Sequence, residues 1–178
     1  MALGRWKRLS KELKFKNPWW DYIFERFELP SGKEGEYHYV HTTNSVIVVP
    51  ITSDGKIHLV NQYRYLHGIE SIELPMGGID SDAELPEEAA LRELIEETGY
   101  TGTLELIGHF EPMTGISDET CYVFIARDLQ KNEDHQKDHM EEFEHMHVTP
   151  EELEDLITTN KITCGMTMAA WIMAKKRV

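Results

Sequence analysis

The chain has 178 residues, of which 40% are apolar, so it can bury one substantial hydrophobic core but not two large ones. Its 18 Lys and Arg against 32 Asp and Glu give a formal net charge of −14, which argues against binding nucleic acid through basic side chains. No apolar run approaches the roughly 18 residues of a membrane span, and no secretory signal pattern is found, so we expect no membrane partner. Cys121 and Cys164 have no spacing typical of zinc ligands, and two reduced thiols suit a cytoplasmic protein.

The negative charge is concentrated in two blocks. Residues 80–97 hold eight acids and one Arg, and residues 133–155 hold ten acids and one Lys, so the blocks carry −7 and −9. The remaining residues sum to +2, with six basic residues among the first sixteen. We interpret residues 1–16 as a solvated basic segment. Residues 17–178 then form one domain, with a front antiparallel sheet at about 17–45 and a larger core at about 46–178.

The first half of the chain is rich in strand signals. Aromatic residues that alternate with polar ones, and a turn signal at residues 30–33, predict a hairpin over residues 19–40. A β-branched run at 46–51, a turn at 53–56 and a further strand at 57–65 predict a second hairpin. A short strand at 72–74 is followed by a predicted loop at Gly77 and Gly78.

Helices are predicted in the second half. Pro86 is suited to the first turn of a helix that runs to about Thr98, and Gly99 is suited to its end. Strands at 104–110 and 120–126, a polar loop at 130–139 and a strand at 143–148 follow. Thr149 and Pro150 open a helix through residue 157, and residues 165–174 form a last helix. This order predicts an α/β (α+β) domain with an antiparallel element at its front.

Three glutamates share one side of the first predicted helix. Glu93, Glu96 and Glu97 are spaced i, i+3 and i+4, so their carboxylates lie within reach of each other. Like charges at this spacing destabilise a helix, and a bound cation would relieve the repulsion. Oxygen ligands without His or Cys favour Mg²⁺ or Mn²⁺. The alternative is a solvated acidic face.

A fixed pattern of residue types surrounds these glutamates. It runs Gly78, five residues, Glu84, seven residues, Arg92-Glu93-Leu94, Ile95, Glu96-Glu97, Thr98, Gly99-Tyr100. The pattern is similar to the Nudix box, G-x5-E-x7-R-E-U-x-E-E-x-G-U with U a bulky apolar residue, and it departs from the box only in its final Tyr. Further phrases resemble the ADP-ribose and nucleoside-diphosphate-sugar pyrophosphatase branch of the Nudix hydrolase superfamily: Gln62-Tyr63-Arg64-Tyr65, Glu73-Leu74-Pro75-Met76-Gly77-Gly78, Phe110-Glu111-Pro112 and Ser117-Asp118-Glu119.

The resemblance implies a fold and a reaction. The fold would be an α/β/α sandwich with a mixed central sheet, and an N-terminal antiparallel sheet would help to form a homodimer. The reaction would be Mg²⁺-dependent cleavage of a nucleotide sugar, such as ADP-ribose or GDP-mannose, to a nucleoside monophosphate and a sugar phosphate. The alternatives are a non-catalytic nucleotide-sugar sensor on the same fold and an enzyme for dinucleoside polyphosphates or coenzyme A.

The resemblance also implies roles in metal binding. Glu93 and Glu97 would be the main ligands, with Glu96 a third carboxylate, while Arg92 would orient them and Glu84 would hold the loop. A backbone carbonyl would be a further ligand. Because the Glu-Leu-Pro phrase stands one residue further from Gly78 than is usual in the family, this carbonyl is either that of Met76 or that of Gly77.

The second acidic block contains candidates for the general base. In the resembling branch a Glu on a loop before a late strand often acts as the general base. Glu141 is the first candidate for this role, and Glu142 is the second. The alternative is that both are ordinary loop acids. Four histidines in the same region, at 135, 139, 145 and 147, suggest an imidazole metal site, but their spacing does not follow a standard ligand pattern.

Substrate-binding candidates lie on other elements. In the resembling branch an Arg at the place of Arg64 contacts the diphosphate, and the alternative for Arg64 is a salt bridge at a strand edge. A base or sugar would stack on Trp19 and Trp20, whose alternative is core or interface packing. We also group Glu73 and Glu119 with the substrate-binding residues.

Overall fold

The computed structural model describes residues 3–81, 83–132 and 143–178. These residues form ten strands and three helices. They group into two compact units. The front unit contains residues 3–43 and Glu111–Glu119, and the core unit contains the described part of Asn44–Phe110 and Thr120–Val178.

The front unit is built on an antiparallel sheet in the order β1-β2-β3. Its strands are β1 (Lys7–Lys16), β2 (Trp20–Glu28) and β3 (Glu34–Thr42). The predicted first hairpin is therefore confirmed, and its turn uses Gly32 at φ 81°, a conformation that favours glycine. Segment 111–119 lies along β3, where the Val40 N–H donates to the Ile116 carbonyl at 2.7 Å.

Strand β1 is an element that the sequence does not predict within the exposed basic segment. Lys7–Lys16 pairs with β2, although all ten of its residues are exposed. Leu9, Leu13 and Phe15 recur at even spacing, which is a strand pattern that the many basic residues conceal. The domain boundaries proposed from the sequence stay a prediction.

The core unit contains two further sheets. One is antiparallel in the order β10-β5-β6, and the other is mixed in the order β7-β4-β9-β8, with β4 and β9 parallel. The strands are β4 (Ser45–Pro50), β5 (Ile57–Arg64), β6 (Ile69–Glu73), β7 (Met76–Gly78), β8 (Tyr100–Phe110), β9 (Cys121–Lys131) and β10 (Glu144–Val148). The helices are α1 (Pro86–Thr98), α2 (Pro150–Thr158) and α3 (Gly165–Ala174).

The helices begin and end where local signals predict. Pro86 is the first residue of α1, and Gly99 ends that helix at φ 75°. Helix α2 has a capping box in which Thr149 Oγ1 accepts from the Glu152 N–H at 3.2 Å and Glu152 Oε2 accepts from the Thr149 N–H at 2.8 Å. These contacts satisfy backbone donors that a helix start leaves unpaired.

The predicted second hairpin is wrong. Strand β4 pairs with β7 and β9, and strand β5 pairs with β6 and β10. The two strands are joined at their turn by an Ile51–Ile57 bridge and by the Thr52 N–H, which donates to the Lys56 carbonyl at 2.9 Å. All six residues of β4 are buried, and a strand buried on both faces belongs in the middle of a covered sheet. Several boundaries also differ. Gly77 and Gly78 lie in β7 rather than in a loop, β6 is Ile69–Glu73 rather than 72–74, β8 begins at Tyr100 rather than at 104, and β9 extends to Lys131.

Strand β4 separates two layers of helices in the core unit. Val46 and Val48 pack in one cluster with residues of α1, whereas Ile47 and Val49 pack in another with residues of α2 and α3. Because successive side chains of a strand point to opposite faces, α1 covers one face of the sheet and α2 and α3 cover the other. The predicted α/β/α sandwich with a mixed sheet is therefore confirmed. In the described part of the chain, no helix is long and apolar enough to span a membrane.

Candidate active site

Helix α1 turns two of its glutamates inward. Glu93 and Glu97 are only 9% and 6% exposed, whereas the side chain of Glu96 is 52% exposed. A solvated acidic face is therefore the wrong description of Glu93 and Glu97. Burial of a carboxylate costs free energy unless charge partners or hydrogen bonds compensate for the lost water.

Arg92 connects this helix with the glycine segment before it. Its Nε donates to Glu84 at 3.0 Å, and its Nη1 donates to Glu93 at 2.6 Å and to Glu96 at 3.2 Å. Its Nη2 donates to the carbonyl of Gly78 at 2.8 Å. One guanidinium therefore fixes β7, the loop before α1 and two glutamates of α1 relative to each other.

The protonation states of this cluster support each other. The hydrogen bond to Glu84 contributes most to raising the pKa of Arg92, and Glu93 raises it further. The same bond lowers the pKa of Glu84, with help from the Asp80 N–H, which donates to Glu84 at 2.7 Å. Arg92 and Glu84 are therefore both charged at neutral pH.

Gly77 brings the backbone against the carboxylate of Glu93. A Cβ added at Gly77 would collide with all three atoms of that carboxylate group. Only glycine allows such an approach between this strand and helix α1. Gly77 therefore marks the point where β7 passes directly beside the carboxylate of Glu93.

The register of β7 also separates the two candidate carbonyls. The Pro75 carbonyl accepts from β4 at 2.9 Å, and the Ile79 N–H donates to a carbonyl just before β4 at 2.8 Å. Because alternate residues of an antiparallel strand face the partner, Gly77 shares this orientation. The carbonyl of Met76 therefore points to the opposite side, as does that of Gly78, which accepts from the guanidinium described above.

Arg64 and Glu73 form an ion pair across β5 and β6. Arg64 Nε donates to Glu73 Oε1 at 2.9 Å, and Arg64 Nη2 donates to Glu73 Oε2. This hydrogen-bonded pair contributes most to raising the pKa of Arg64, and the charge of Glu97 on α1 raises it further. Arg64 thus forms the predicted strand salt bridge and also lies within electrostatic reach of the acidic helix.

Other predicted site residues lie elsewhere. Trp19 and Trp20 belong to the front unit and are 77% and 41% exposed. Glu119 also belongs to the front unit and is half-buried. The two base candidates, Glu141 and Glu142, lie outside the described residues.

A buried histidine was missed by the sequence analysis. His58 on β5 is buried, with its Nε2 3.2 Å from His145 Nδ1 and its ring centroid 4.4 Å from that of His147. Burial, followed by the charges of His147 and His145, lowers the pKa of His58 to about 3. A lone histidine inside the apolar run 57–60 was the available signal.

Only His145 and His147 of the suggested imidazole metal site lie among the described residues. His135 and His139 lie outside the described residues. Among the residues that are described, no three His, Cys, Asp or Glu side chains have the geometry of a metal site. Two of the α1 glutamates, Glu93 and Glu96, each accept a hydrogen bond from Arg92.

The sandwich and the Gly-Arg-Glu cluster on α1 define a hydrolase of the Nudix class. A family model described as NUDIX domain matches residues 41–163, more than half of the chain. The chain therefore belongs to the Nudix family. Nudix hydrolases generally need a divalent metal ion.

Relatives of known function cover most of the chain. ADP-ribose pyrophosphatase of Bacillus subtilis (strain 168) is 36% identical over 166 residues, which cover 92% of this chain and 89% of that protein. ADP-sugar pyrophosphatase of Mus musculus is 36% identical over 104 residues, which cover 52% of this chain and 47% of that protein. A solved structure described as ADP compounds hydrolase superposes with a TM-score of 0.86 over 99% of this chain and 95% of that one, at 20% identity, and shows the shared fold.

Proposed function

We propose that the chain hydrolyses the diphosphate of nucleoside diphosphate sugars to a nucleoside monophosphate and a sugar phosphate. ADP-ribose is the first candidate substrate, and hexose derivatives such as GDP-mannose are the next. The observation that carries the proposal is the similarity to the Bacillus subtilis ADP-ribose pyrophosphatase along nearly the whole of both chains. A non-catalytic sensor is disfavoured because Arg92, Glu93, Glu96 and Glu97 are all retained.

The proposed cofactor is Mg²⁺, with Mn²⁺ as an alternative. Glu93 and Glu97 would hold the ion, with Glu96 as the third carboxylate. Their oxygen-only chemistry suits a hard divalent ion, and the contact between Gly77 and the Glu93 carboxylate supports a backbone carbonyl nearby as a further ligand. We assign that carbonyl to Met76, because alternation in β7 directs the Gly77 carbonyl toward β4. When bound, the ion supplies neutralisation of diphosphate charge and lowers the pKa of water.

The remaining roles fall to residues on other elements. Arg64 would bind diphosphate oxygens, and its partly exposed guanidinium supports this role. Glu141, or else Glu142, would take the proton of the attacking water. Trp19 and Trp20 would stack on the base or sugar, and their exposure leaves their rings available.

Further proposals concern the setting of the enzyme. Glu119 would contact the metal or the sugar. The front sheet would form a homodimer, and its exposed β1 edge offers unpaired backbone groups for such an interface. The enzyme would act in the cytoplasm, where the free cysteines Cys121 and Cys164 would stay reduced.

The test is a turnover assay on a panel of ADP-ribose and nucleoside diphosphate hexoses with Mg²⁺. Phosphate released from the products by added alkaline phosphatase measures turnover. We expect Glu97→Gln and Glu141→Gln each to lower kcat by about 100-fold or more. Glu87→Gln is the matched control, because Glu87 is exposed on the first turn of the same helix.

Each outcome decides a different part of the proposal. A wild type that binds these ligands and cleaves none of them is a sensor. Wild-type turnover by Glu97→Gln would remove the metal assignment. Near-normal turnover by Glu141→Gln would move the base to Glu142 or elsewhere, and equal loss in Glu87→Gln would point to general damage to the helix.

A further inference from the structure

We propose that Glu73 is a positioning residue that holds the guanidinium of Arg64 for the substrate diphosphate and does not contact the substrate itself. The inference rests on the proposed function, in which Arg64 binds diphosphate oxygens. It changes the role of Glu73, which the sequence analysis groups with the substrate-binding residues.

The geometry of the ion pair assigns different tasks to its two members. The Arg64 side chain is 40% exposed, whereas the Glu73 side chain is 3% exposed. Both carboxylate oxygens of Glu73 accept hydrogen bonds from Arg64. A buried carboxylate with both oxygens engaged has little capacity left for a substrate, and an anionic substrate would also be repelled by it.

The two hydrogen bonds leave one edge of the guanidinium available. They use Nε and Nη2 of Arg64, so Nη1 keeps its two N–H groups on the far side from Glu73. A guanidinium can bind one anion through one edge and a second anion through another edge. The geometry therefore suits Nη1 to donate to a phosphate oxygen while Glu73 stays bound.

The fold supplies a rigid base for this arrangement. Arg64 is the last residue of β5 and pairs with Ile69, next to the turn that joins β5 and β6. A long side chain at this position would otherwise sample many rotamers. The N–H of Leu74, next to Glu73, donates to Thr167 Oγ1 of α3 at 3.0 Å, and both residues are fully buried. Glu73 is thus fixed by packing and in turn restricts Arg64.

The charge of Glu97 on α1 acts on Arg64, which lies on β5, and raises the pKa of its guanidinium. Arg64 and a proposed metal ligand are therefore within electrostatic reach of each other, which suits both to act on one diphosphate. A shift of this guanidinium by a fraction of an ångström would weaken its phosphate contact.

A double-mutant cycle with Arg64→Lys and Glu73→Gln tests the inference. Arg64→Lys leaves a cation beside the buried carboxylate, and Glu73→Gln keeps the side-chain shape, so both variants are expected to fold. We expect each single change to raise the KM for ADP-ribose about tenfold with a smaller change in kcat. The double variant is expected to be no worse than Arg64→Lys, because Glu73 acts through Arg64.

A spectroscopic measurement tests the contact without turnover. In a ¹⁵N spectrum, the Nε–H signal of Arg64, assigned by its absence from Arg64→Lys, is expected to be protected from exchange in the wild type and to lose this protection in Glu73→Gln. Glu105→Gln is the matched control, since Glu105 accepts from Arg177 at 2.9 Å in a surface pair. We expect it to change neither KM nor the Arg64 signal.

Several results would overturn the inference. Losses that multiply in the double variant would mean that Glu73 acts independently of Arg64, and an unchanged Arg64 signal in Glu73→Gln would mean that Glu73 does not hold it. If the wild type cleaves no nucleotide sugar, the proposed hydrolysis fails separately, and the cycle is then read from the dissociation constant for ADP-ribose. A wild type that neither binds nor cleaves any nucleotide sugar of the panel overturns both.

Discussion

Gly77 is a residue of the candidate site that has no room for a side chain. Gly77→Ala would place a methyl group inside the carboxylate of Glu93. The carboxylate of Glu93 would have to leave its place beside Arg92, so we expect kcat/KM to fall at least about tenfold and the free energy of unfolding to fall by about 1–3 kcal/mol. Steady-state kinetics and urea unfolding measure the two effects.

Gly165→Ala is the control for this prediction. Gly165 begins helix α3, and a Cβ there meets no atom within 4 Å. Alanine is the better helix former, so this variant should be as stable as the wild type or slightly more stable, with unchanged kinetics. If Gly77→Ala behaves in the same way, the close approach of Gly77 to Glu93 does not govern the site.

Helix α3 holds the connection between β6 and β7 in place through a hydrogen bond from Leu74 to Thr167. Thr167→Val removes the hydroxyl that accepts from the buried N–H of Leu74 and leaves that donor unsatisfied. We expect the free energy of unfolding to fall by about 1–3 kcal/mol in urea unfolding. Thr167→Ser keeps the hydroxyl and is expected to lose less, and a larger loss in Ser than in Val would contradict the role of the hydrogen bond.

His58 is a buried titratable residue on β5, which pairs with β10. The groups that face it are His145 and His147 on β10 and Tyr100 at the start of β8. Its pKa is lowered from 6.5 to about 3 in the folded protein, so between these pH values the unfolded chain binds more protons. The free energy of unfolding should therefore fall as the pH drops below about 6.5, by up to about 1.4 kcal/mol per pH unit from this group.

The test is urea unfolding at a series of pH values between neutral and mildly acidic. His58→Leu should show a shallower loss of stability with falling pH than the wild type, because its side chain binds no proton in either state. His67→Leu, on the exposed tip of the β5–β6 hairpin, should follow the wild type. Equal slopes for all three proteins would mean that His58 does not control this dependence.

A bound divalent ion is expected to stabilise the whole folded molecule, whose net charge is −14. A divalent ion bound by Glu93 and Glu97 would stabilise the folded state alone, by about 2.7 kcal/mol at 100 times its dissociation constant. We expect MgCl₂ to raise Tm by about 5–10 °C in a thermal unfolding scan. NaCl at equal ionic strength controls for screening, and an equal rise in Glu97→Gln would show that the ion binds elsewhere.

Local signals determined the helices and their ends. Pro86, Gly99 and the Thr149–Glu152 capping box act over a few residues, so the sequence alone places α1 and α2. The same locality makes the spacing of the α1 glutamates readable without any structure. The family followed from fixed offsets within one short segment.

Tertiary structure decided what depends on distant partners. The residues of β4 specify a buried strand, but they do not specify β9 as its parallel neighbour, because many apolar strands offer similar pairing. The inward turn of Glu93, the close approach of Gly77 to Glu93 and the ion pair of Arg64 with Glu73 likewise depend on which elements meet. Sequence spacing determines which side chains lie next to each other along one element. Burial and ion pairing arise only where separate elements pack together.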